Sequence, residues 1–363
     1  SCKLVILLVD ALGYLAVEEQ MARDPRLGLS ALAEKGIFSP LTSVFPSTTA
    51  VALTTLHTGL DPVSHGITGY RMYLPDREIV ANMIHLRSEG SEDVRLLQKR
   101  GDARRLLGVP TVHRLLARAG VPSICLIRNE IANSGLSELL YQGASEVIPF
   151  VSSSDLFVQI RKLVASDPGR PACIWAYWGH LDTIQHRYGT GGNEPPAEVR
   201  NLAYSLQEEL LRPLERSRGV KASLMLLSDH GHVDCQLEDV LQIRRLRKLQ
   251  TMLAVPPAGT GRSPYLHLKA AEASQAAAYL AGTLGDRALV VGRDEALSGG
   301  LWGPGKAWRD LPGRIGDVVL LMRGARTVFY PHRAKSRVSH VVGGRHGGLH
   351  EREMLVPLFC SKL

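Results

Sequence analysis

Cysteine is scarce: Cys2, Cys125, Cys173, Cys235 and Cys360 are scattered over 363 residues, with no CxxC pair. That excludes a thiolate zinc module and a disulfide-stapled scaffold, and it favours small buried thiols in a reducing compartment. No apolar run approaches the eighteen or so residues that cross a bilayer, so no membrane span is expected. No secretory signal is visible. A strand opens at Lys3 directly after the first residues, so a removed leader stays open, while the cysteine usage favours a cytoplasmic location. Aromatics are only 6% and the basic residues are dispersed. The basic-aromatic stripe of a nucleic-acid binder is therefore missing, and stable nucleic-acid binding is not expected. Internal repeats, low-complexity tracts and a G-x-S-x-G elbow are also lacking, and the last absence excludes the usual serine-hydrolase arrangement.

What is present is a globular composition, 45% hydrophobic and 21% charged, with 35 Gly and 20 Pro, enough for one large domain or two smaller ones. Lys and Arg number 43 against 35 acidic residues, a formal charge of +8. A basic balance suits an anionic partner, and without a nucleic-acid stripe a small phosphorylated substrate fits best. Oligomeric state is not legible.

Apolar runs alternate with amphipathic stretches. "KLVILLVDALG" (3–13) reads as a buried parallel strand, "LSALAEKG" (29–36) as a helix stopped by Gly36, and "TVHRLLARAG" (111–120) as a helix before the strand "VPSICLI" (121–127). "DLFVQIRKLVAS" (155–166) is helical, "ACIWAYW" (172–178) a strand, "EVRNLAYSLQEELLRPLERS" (198–217) one long helix, and "KASLMLLSDHG" (221–231) another strand. This alternation predicts an α/β fold with a doubly wound, mostly parallel sheet over residues 1–237 and 338–363. Residues 238–337 change pattern, with a strand, helix and strand over 263–297 and a further strand in 314–324, and read as a smaller α+β cap insertion.

Open α/β sheets hold ligands beyond the carboxyl ends of their strands, and that is where carboxylates and imidazoles collect. Asp10 ends the first run. "YWGHLDTIQHRYG" (177–189) places Asp182 and His186 four apart, on one face of a turn or helix. "SDHGH" (228–232) supplies Asp229 and His230, and "GGRHGG" (343–348) brings His346 from a flexible glycine-rich loop. Taken singly each has an ordinary reading: a helix cap, a surface pair, a turn. Taken jointly they form a mixed oxygen and nitrogen set suited to Zn²⁺, with Mn²⁺ as the alternative. Six donors exceed what one tetrahedral ion takes, whereas two ions roughly 4 Å apart use them all. His57, His113, His267 and His332 fall inside helices or strands and read as structural.

One stretch, "VFPSTTAVALTTLHTGLDPVSHGITGY" (44–70), crowds hydroxyls as a loop, a helix cap or a nucleophile at a helix start would. With "VDALG", "DTIQH", "SDHGH" and "RHGGLHEREMLVPL" in the same order, it resembles the alkaline phosphatase superfamily over nearly the whole chain. The closest likeness is to the type I phosphodiesterase/nucleotide pyrophosphatase branch. The resemblance implies two zinc ions, one held by Asp182, His186 and His346, the other by Asp10, Asp229 and His230 with a nucleophilic threonine bridging or adjoining. In that family the threonine lies ten residues before the Gly of Thr-Gly. Here Gly59 makes it Thr49, with Thr48 and Ser47 as nearby competitors. A metal ion would lower the pKa of the Thr49 hydroxyl, and a helix starting there would aim free N–H groups at a phosphate. Thr54, Thr55 and Thr58 read as packing or back-bonding residues, and His65 as a support of the fold.

Where nucleotide pyrophosphatases carry an Asn three residues after the nucleophile, this chain has Ala52, so a nucleotide is one candidate among phosphodiesters. "STTAV" lacks the Cys/Ser-x-Pro-x-Arg setting of sulfatases. The expected activity is phosphoester hydrolysis through a phosphothreonine intermediate, with diesters preferred to monoesters. "ITGYRMYLP" (67–75) offers Tyr70, Met72, Tyr73 and Leu74 as an apolar wall, and Arg71, Arg187 and Arg345 are nearby cations of unassigned direction. A phosphomonoesterase, phosphomutase or phosphonate hydrolase on the same scaffold is the alternative. A non-catalytic binding protein is the alternative from another class.

Overall fold

The run KLVILLV forms strand Lys3–Val9, buried along almost its entire length. In the computed structural model, which describes residues 3–89, 95–96, 102–132, 134–167, 169–217, 219–333 and 336–363, this strand is the middle of a seven-stranded sheet. The order is Ile37–Thr42, Leu355–Lys362, Ala222–Leu227, Lys3–Val9, Ala172–Trp178, Ser123–Arg128, Glu146–Phe150. Lys3 stands opposite Ala172 on one side and Ala222 on the other, both in parallel register. Pairing stays parallel out to Glu146–Phe150, and only Leu355–Lys362 runs antiparallel to its two neighbours. The doubly wound, mostly parallel sheet is therefore present.

Two-residue periodicity sends alternate side chains of the central strand to opposite faces. Val5, Leu7 and Val9 pack with Leu156, Phe157, Ile160 and Leu202 of the helices Ser153–Ala165 and Glu194–Leu206. Leu8 packs on the other face with Ala50, Val51 and Leu53 of the helix Thr49–Thr58. The long helix expected over 198–217 differs in detail, because it widens over Gln207–Leu211 before continuing as Arg212–Glu215. Pro213 has no N–H to give the carbonyl of Glu209, and Arg161 Nη1 donates to that carbonyl instead, at 2.9 Å.

A second sheet of seven short strands runs Ala288–Gly292, Val318–Met322, Pro264–Leu266, Ala258–Gly259, Arg71–Leu74, Ile79–Asn82, Arg87–Ser88. Four of its strands come from the 238–337 stretch and three from 71–88, joined where Gly259 pairs with Arg71. Met72 and Leu74 are buried in the core, so of the expected apolar wall it is Tyr70 that reaches the ligand cavity described below. Cys125, Cys173 and Cys235 are buried free thiols and Cys360 is half-buried; Cys2 lies outside the described residues. Among those residues no helix is long and apolar enough to cross a membrane.

Candidate active site

Asp10 follows the central strand and Asp229 follows its parallel neighbour, so pairing of the two strands alone brings these carboxylates together. Ala11 takes a left-handed conformation, φ 64°. Its N–H donates to Asp229 Oδ1 at 3.1 Å, and the N–H of Leu12 donates to Ser228 Oγ at 3.0 Å. The other oxygens, Asp10 Oδ1 and Asp229 Oδ2, are buried without a hydrogen-bond donor. They lie 3.5 and 3.4 Å from His230 Nε2. Tyr177 donates its hydroxyl to Asp10 Oδ2. Burial, reinforced by Asp229 and Asp182, pushes the Asp10 carboxyl well above the usual carboxylate range.

Asp182 and His186 lie one turn apart on helix His180–Tyr188, with Asp182 Oδ1 3.3 Å from His186 Nε2. His346 arrives from the glycine-rich loop, its Nε2 3.9 Å from the same oxygen and its ring stacked on His230 at 3.8 Å between centroids. Burial opposes ionisation of Asp182, yet His186, His232 and His346 hold its carboxyl well below the usual range. Burial also lowers His186 and His346, so both imidazoles are neutral near pH 7.

The loop carrying His346 is pinned rather than loose. Gly343 and Gly347 need φ of 101° and 106°, and a Cβ on Gly344 would stand 2.5 Å from His232 Nδ1 and 2.7 Å from the Gln185 carbonyl. Ser47 Oγ donates to the Gly348 carbonyl and accepts from Gly347 N. Ser263 Oγ donates to the Gly347 carbonyl at 2.6 Å. Glu353, fully buried, accepts from Gly348 N and forms a two-point ion pair with buried Arg262 at 3.1 and 2.7 Å.

Helix Thr49–Thr58 begins at Thr49, and Thr49 Oγ1 lies 3.1 Å from His230 Nε2. Of the three hydroxyls that compete, Ser47 is engaged in bracing the His346 loop and Thr48 Oγ1 has no partner. Thr54 and Thr58 donate back to the carbonyls of Ala50 and Thr54, and Thr55 meets His65 Nε2 at 3.0 Å. His57 and His113 form a buried pair 2.9 Å apart and belong to neither donor set. His267 bonds the Gly313 carbonyl. His332 differs from expectation, because it lines the ligand cavity.

Sequence reasoning passed over His232, two residues beyond His230 in "SDHGH" and within reach of the second donor set. His346 donates Nδ1–H to the Ser47 carbonyl at 2.9 Å, which frees its Nε2 for an ion, and His186 Nδ1 stands 2.8 Å from the Gly344 carbonyl and against Arg345 Nη1. His232 Nδ1 has no such partner. The hydrogen-bond network therefore puts its proton on Nε2, donated to Asp182 Oδ1 at 3.0 Å. His232 aims the carboxylate. Tyr177 plays the matching part at Asp10; a polar residue in the inward register of "ACIWAYW" was the available signal.

These residues fit divalent ions. Donor atoms of Asp182, His186, His232 and His346 lie within 4.8 Å of one another, as do those of Asp10, Asp182 and His230. Orphaned buried carboxylate oxygens and neutral imidazoles are the groups a cation satisfies. Beyond them opens a cavity of about 960 Å³ lined by Thr49, Tyr70, Arg71, Arg128, Arg187, Tyr330 and Arg345.

The model of the type I phosphodiesterase / nucleotide pyrophosphatase family matches residues 4–349. The chain belongs to that family. Its members are metal-dependent phosphoester hydrolases, and membership makes this chain one. No curated protein matches its sequence. Among solved structures it is similar to an inactive murine ectonucleotide pyrophosphatase/phosphodiesterase 5 in complex with AMP, at TM-score 0.76 and 16% identity, over 99% of this chain and 87% of that one. It is also similar to phosphonoacetate hydrolase from Sinorhizobium meliloti 1021 in complex with phosphonoformate, at TM-score 0.72 and 19% identity, over 99% and 90%. Both likenesses are of fold, that of the alkaline phosphatase superfamily.

Proposed function

We propose that this phosphohydrolase works with two divalent ions, zinc before manganese, and a covalent phosphothreonine at Thr49. The observation that carries the reading is the placement of the Thr49 hydroxyl, at the free end of a helix and 3.1 Å from His230 in the carboxylate-rich half of the site. Asp10, Asp229 and His230, with Thr49, would hold one ion; Asp182, His186 and His346 would hold the other. When bound, such ions offset charge on the phosphoryl oxygens and lower the pKa of an adjoining hydroxyl or water. Thr49 Oγ1 attacks phosphorus in line and the ester oxygen departs. Water then cleaves the phosphothreonine. The first N–H groups of the Thr49 helix point donors at the phosphoryl oxygens throughout. The murine neighbour was rendered inactive by a threonine-to-alanine change, and its AMP ligand and the phosphonoformate of the second neighbour are small phosphorus oxyanions.

A cavity of about 960 Å³ far exceeds one phosphoryl group and leaves room for a second ester substituent. Diesters are therefore the proposed class, with bis(p-nitrophenyl) phosphate turned over at higher kcat/KM than p-nitrophenyl phosphate. Thr49→Ala should lower turnover by about 10⁴-fold or more while two metal equivalents remain by elemental analysis, and acid quench of the wild type should trap phosphate on Thr49. Activity in Thr49→Ala with a dead Thr48→Ala would move the nucleophile by one residue. A clear monoester preference would move the protein to the phosphatase side of its superfamily.

A further inference from the structure

Apart from Asp10 and Asp182, which belong to the donor sets, no carboxylate among the described residues lines the cavity, yet four arginines do: Arg71, Arg128, Arg187 and Arg345. Arg187 and Arg345 adjoin His186 and His346 in sequence and stand with the donor sets. Arg71 and Arg128 come from elsewhere. Arg128 ends the strand beside Ala172–Trp178, one strand spacing, about 4.8 Å, further along the sheet than the strand leading to Asp182. Arg71 opens a strand of the second sheet and lines the same cavity.

The two side chains are held in the same way. Arg71 gives its Nε–H to Glu89 at 2.8 Å, and its guanidinium lies 4.8 Å from the centre of the Tyr70 ring. Arg128 gives its Nε–H to Glu130 at 3.1 Å. In neither is an Nη group hydrogen-bonded among the described residues, although the side chains are only 29% and 21% exposed. Glu89 also lies 3.4 Å from Arg333. A guanidinium fixed through Nε with its terminal fork unengaged is prepared to take an oxyanion in two-point geometry.

We infer that the second substituent of the substrate carries an anionic group of its own, a carboxylate or a second phosphoryl group, received by the forks of Arg71 and Arg128. This rests on the phosphohydrolase reading for the group at the metal end, but the test below reads binding and not turnover. Diesters whose second substituent is neutral, bis(p-nitrophenyl) phosphate among them, would then be turned over less efficiently than diesters whose second substituent ends in an anion, while still ahead of the monoester.

Calorimetric titration of the zinc-loaded protein with three non-hydrolysable probes decides it. Butylphosphonate carries no second anion, 4-phosphonobutyrate ends in a carboxylate, and propane-1,3-diphosphonate ends in a second phosphonate. At least one charged probe should bind tenfold or more tighter than butylphosphonate, and which one does so identifies the terminal group. That ratio should weaken as salt rises and fall to within about twofold in Arg71→Gln and in Arg128→Gln. Should Arg71→Gln fold poorly, with Glu89 left behind, Arg128→Gln still decides, since Glu130 is exposed. Equal binding of all three probes by the wild type would overturn the inference. So would a charge preference that survives both substitutions. Absence of turnover on every ester, with the binding preference present, would instead count against the catalytic reading alone.

Discussion

Asp10, Asp229 and His230 follow the carboxyl ends of two neighbouring parallel strands, and their side chains are 3%, 0% and 0% exposed. Asp182, His186 and His346, a few ångströms away, come from a helix turn and a glycine-rich loop and are 19%, 35% and 13% exposed. The first half is two carboxylates and one imidazole held by sheet register. The second is one carboxylate among imidazoles, held by side-chain braces from Ser47, His232, Arg262 and Glu353. Sheet register is shared by many hydrogen bonds and survives loss of any one contact. Braces fail singly. If each half holds an ion, as proposed, the second half should be the one that loses it first; three experiments test that contrast and a fourth is a control.

The largest expected effect is at the rigid half. Asp229→Asn keeps the oxygen that accepts from Ala11 and His230 but replaces the oxygen left without a donor, so the fold should persist while one metal equivalent goes. Activity should drop at least about 10³-fold. His346→Ala should remove the other equivalent, and elemental analysis of the two variants should each give about one. If either variant keeps two equivalents, the partition into halves is wrong.

Next comes Glu353→Gln, which leaves Arg262 buried without its counter-charge. Breaking such a pair costs about 3–5 kcal/mol, and denaturant unfolding should show it. Because Glu353 also anchors Gly348, mild chelation should strip one ion from this variant well before the second. Simultaneous loss of both would dissolve the proposed difference between the halves.

A smaller effect belongs to His232→Asn. Removing a partner that orients a ligand usually lowers metal affinity by about 10–100-fold, and here only the ion beside Asp182 should weaken. A loss of that whole ion, equal to His346→Ala, would make His232 a ligand.

The smallest is a control on imidazoles that meet no metal. Burial pushes His113 down to about 4, while the unfolded chain takes up its proton near 6.5. Below 6.5 the unfolded state therefore binds more protons, so this contribution is complete above 6.5 and disappears as pH falls towards 4. At pH 5 the loss is about 2 kcal/mol. Between pH 7.5 and 5, wild type should lose about that much more stability than His113→Gln, and equal slopes would refute the assignment.

Strand ends were readable because the long buried runs, such as Lys3–Val9 and Ala172–Trp178, carry their polar residue at the carboxyl end within the same stretch of sequence. The same locality exposed Asp182 and His186, four apart on one helix, and the helix start at Thr49. Strands of two to four residues, such as Arg87–Ser88 and Ala258–Gly259, are too short to show a period, so the union of 71–88 with 258–322 was invisible. The Arg262–Glu353 pair joins residues 91 apart and has no local signature. His232 was in plain view, but its role rests on a hydrogen-bond proton that only the neighbours of Nδ1 reveal.

The spread of donors along the chain also sets a timetable. Asp10, Thr49, Asp229 and His230 have all been synthesised by residue 230, whereas the last donor, His346, follows 116 residues later. At about 5–20 residues per second that is a delay of roughly 6–23 seconds. During it the nascent protein owns one complete proposed set of ligands and two of the three residues of the other. An ion captured early would enter the carboxylate-rich set and stay there while the remaining chain is made. On the two-ion proposal, the order of filling would then follow translation, set by where in the message each ligand is encoded.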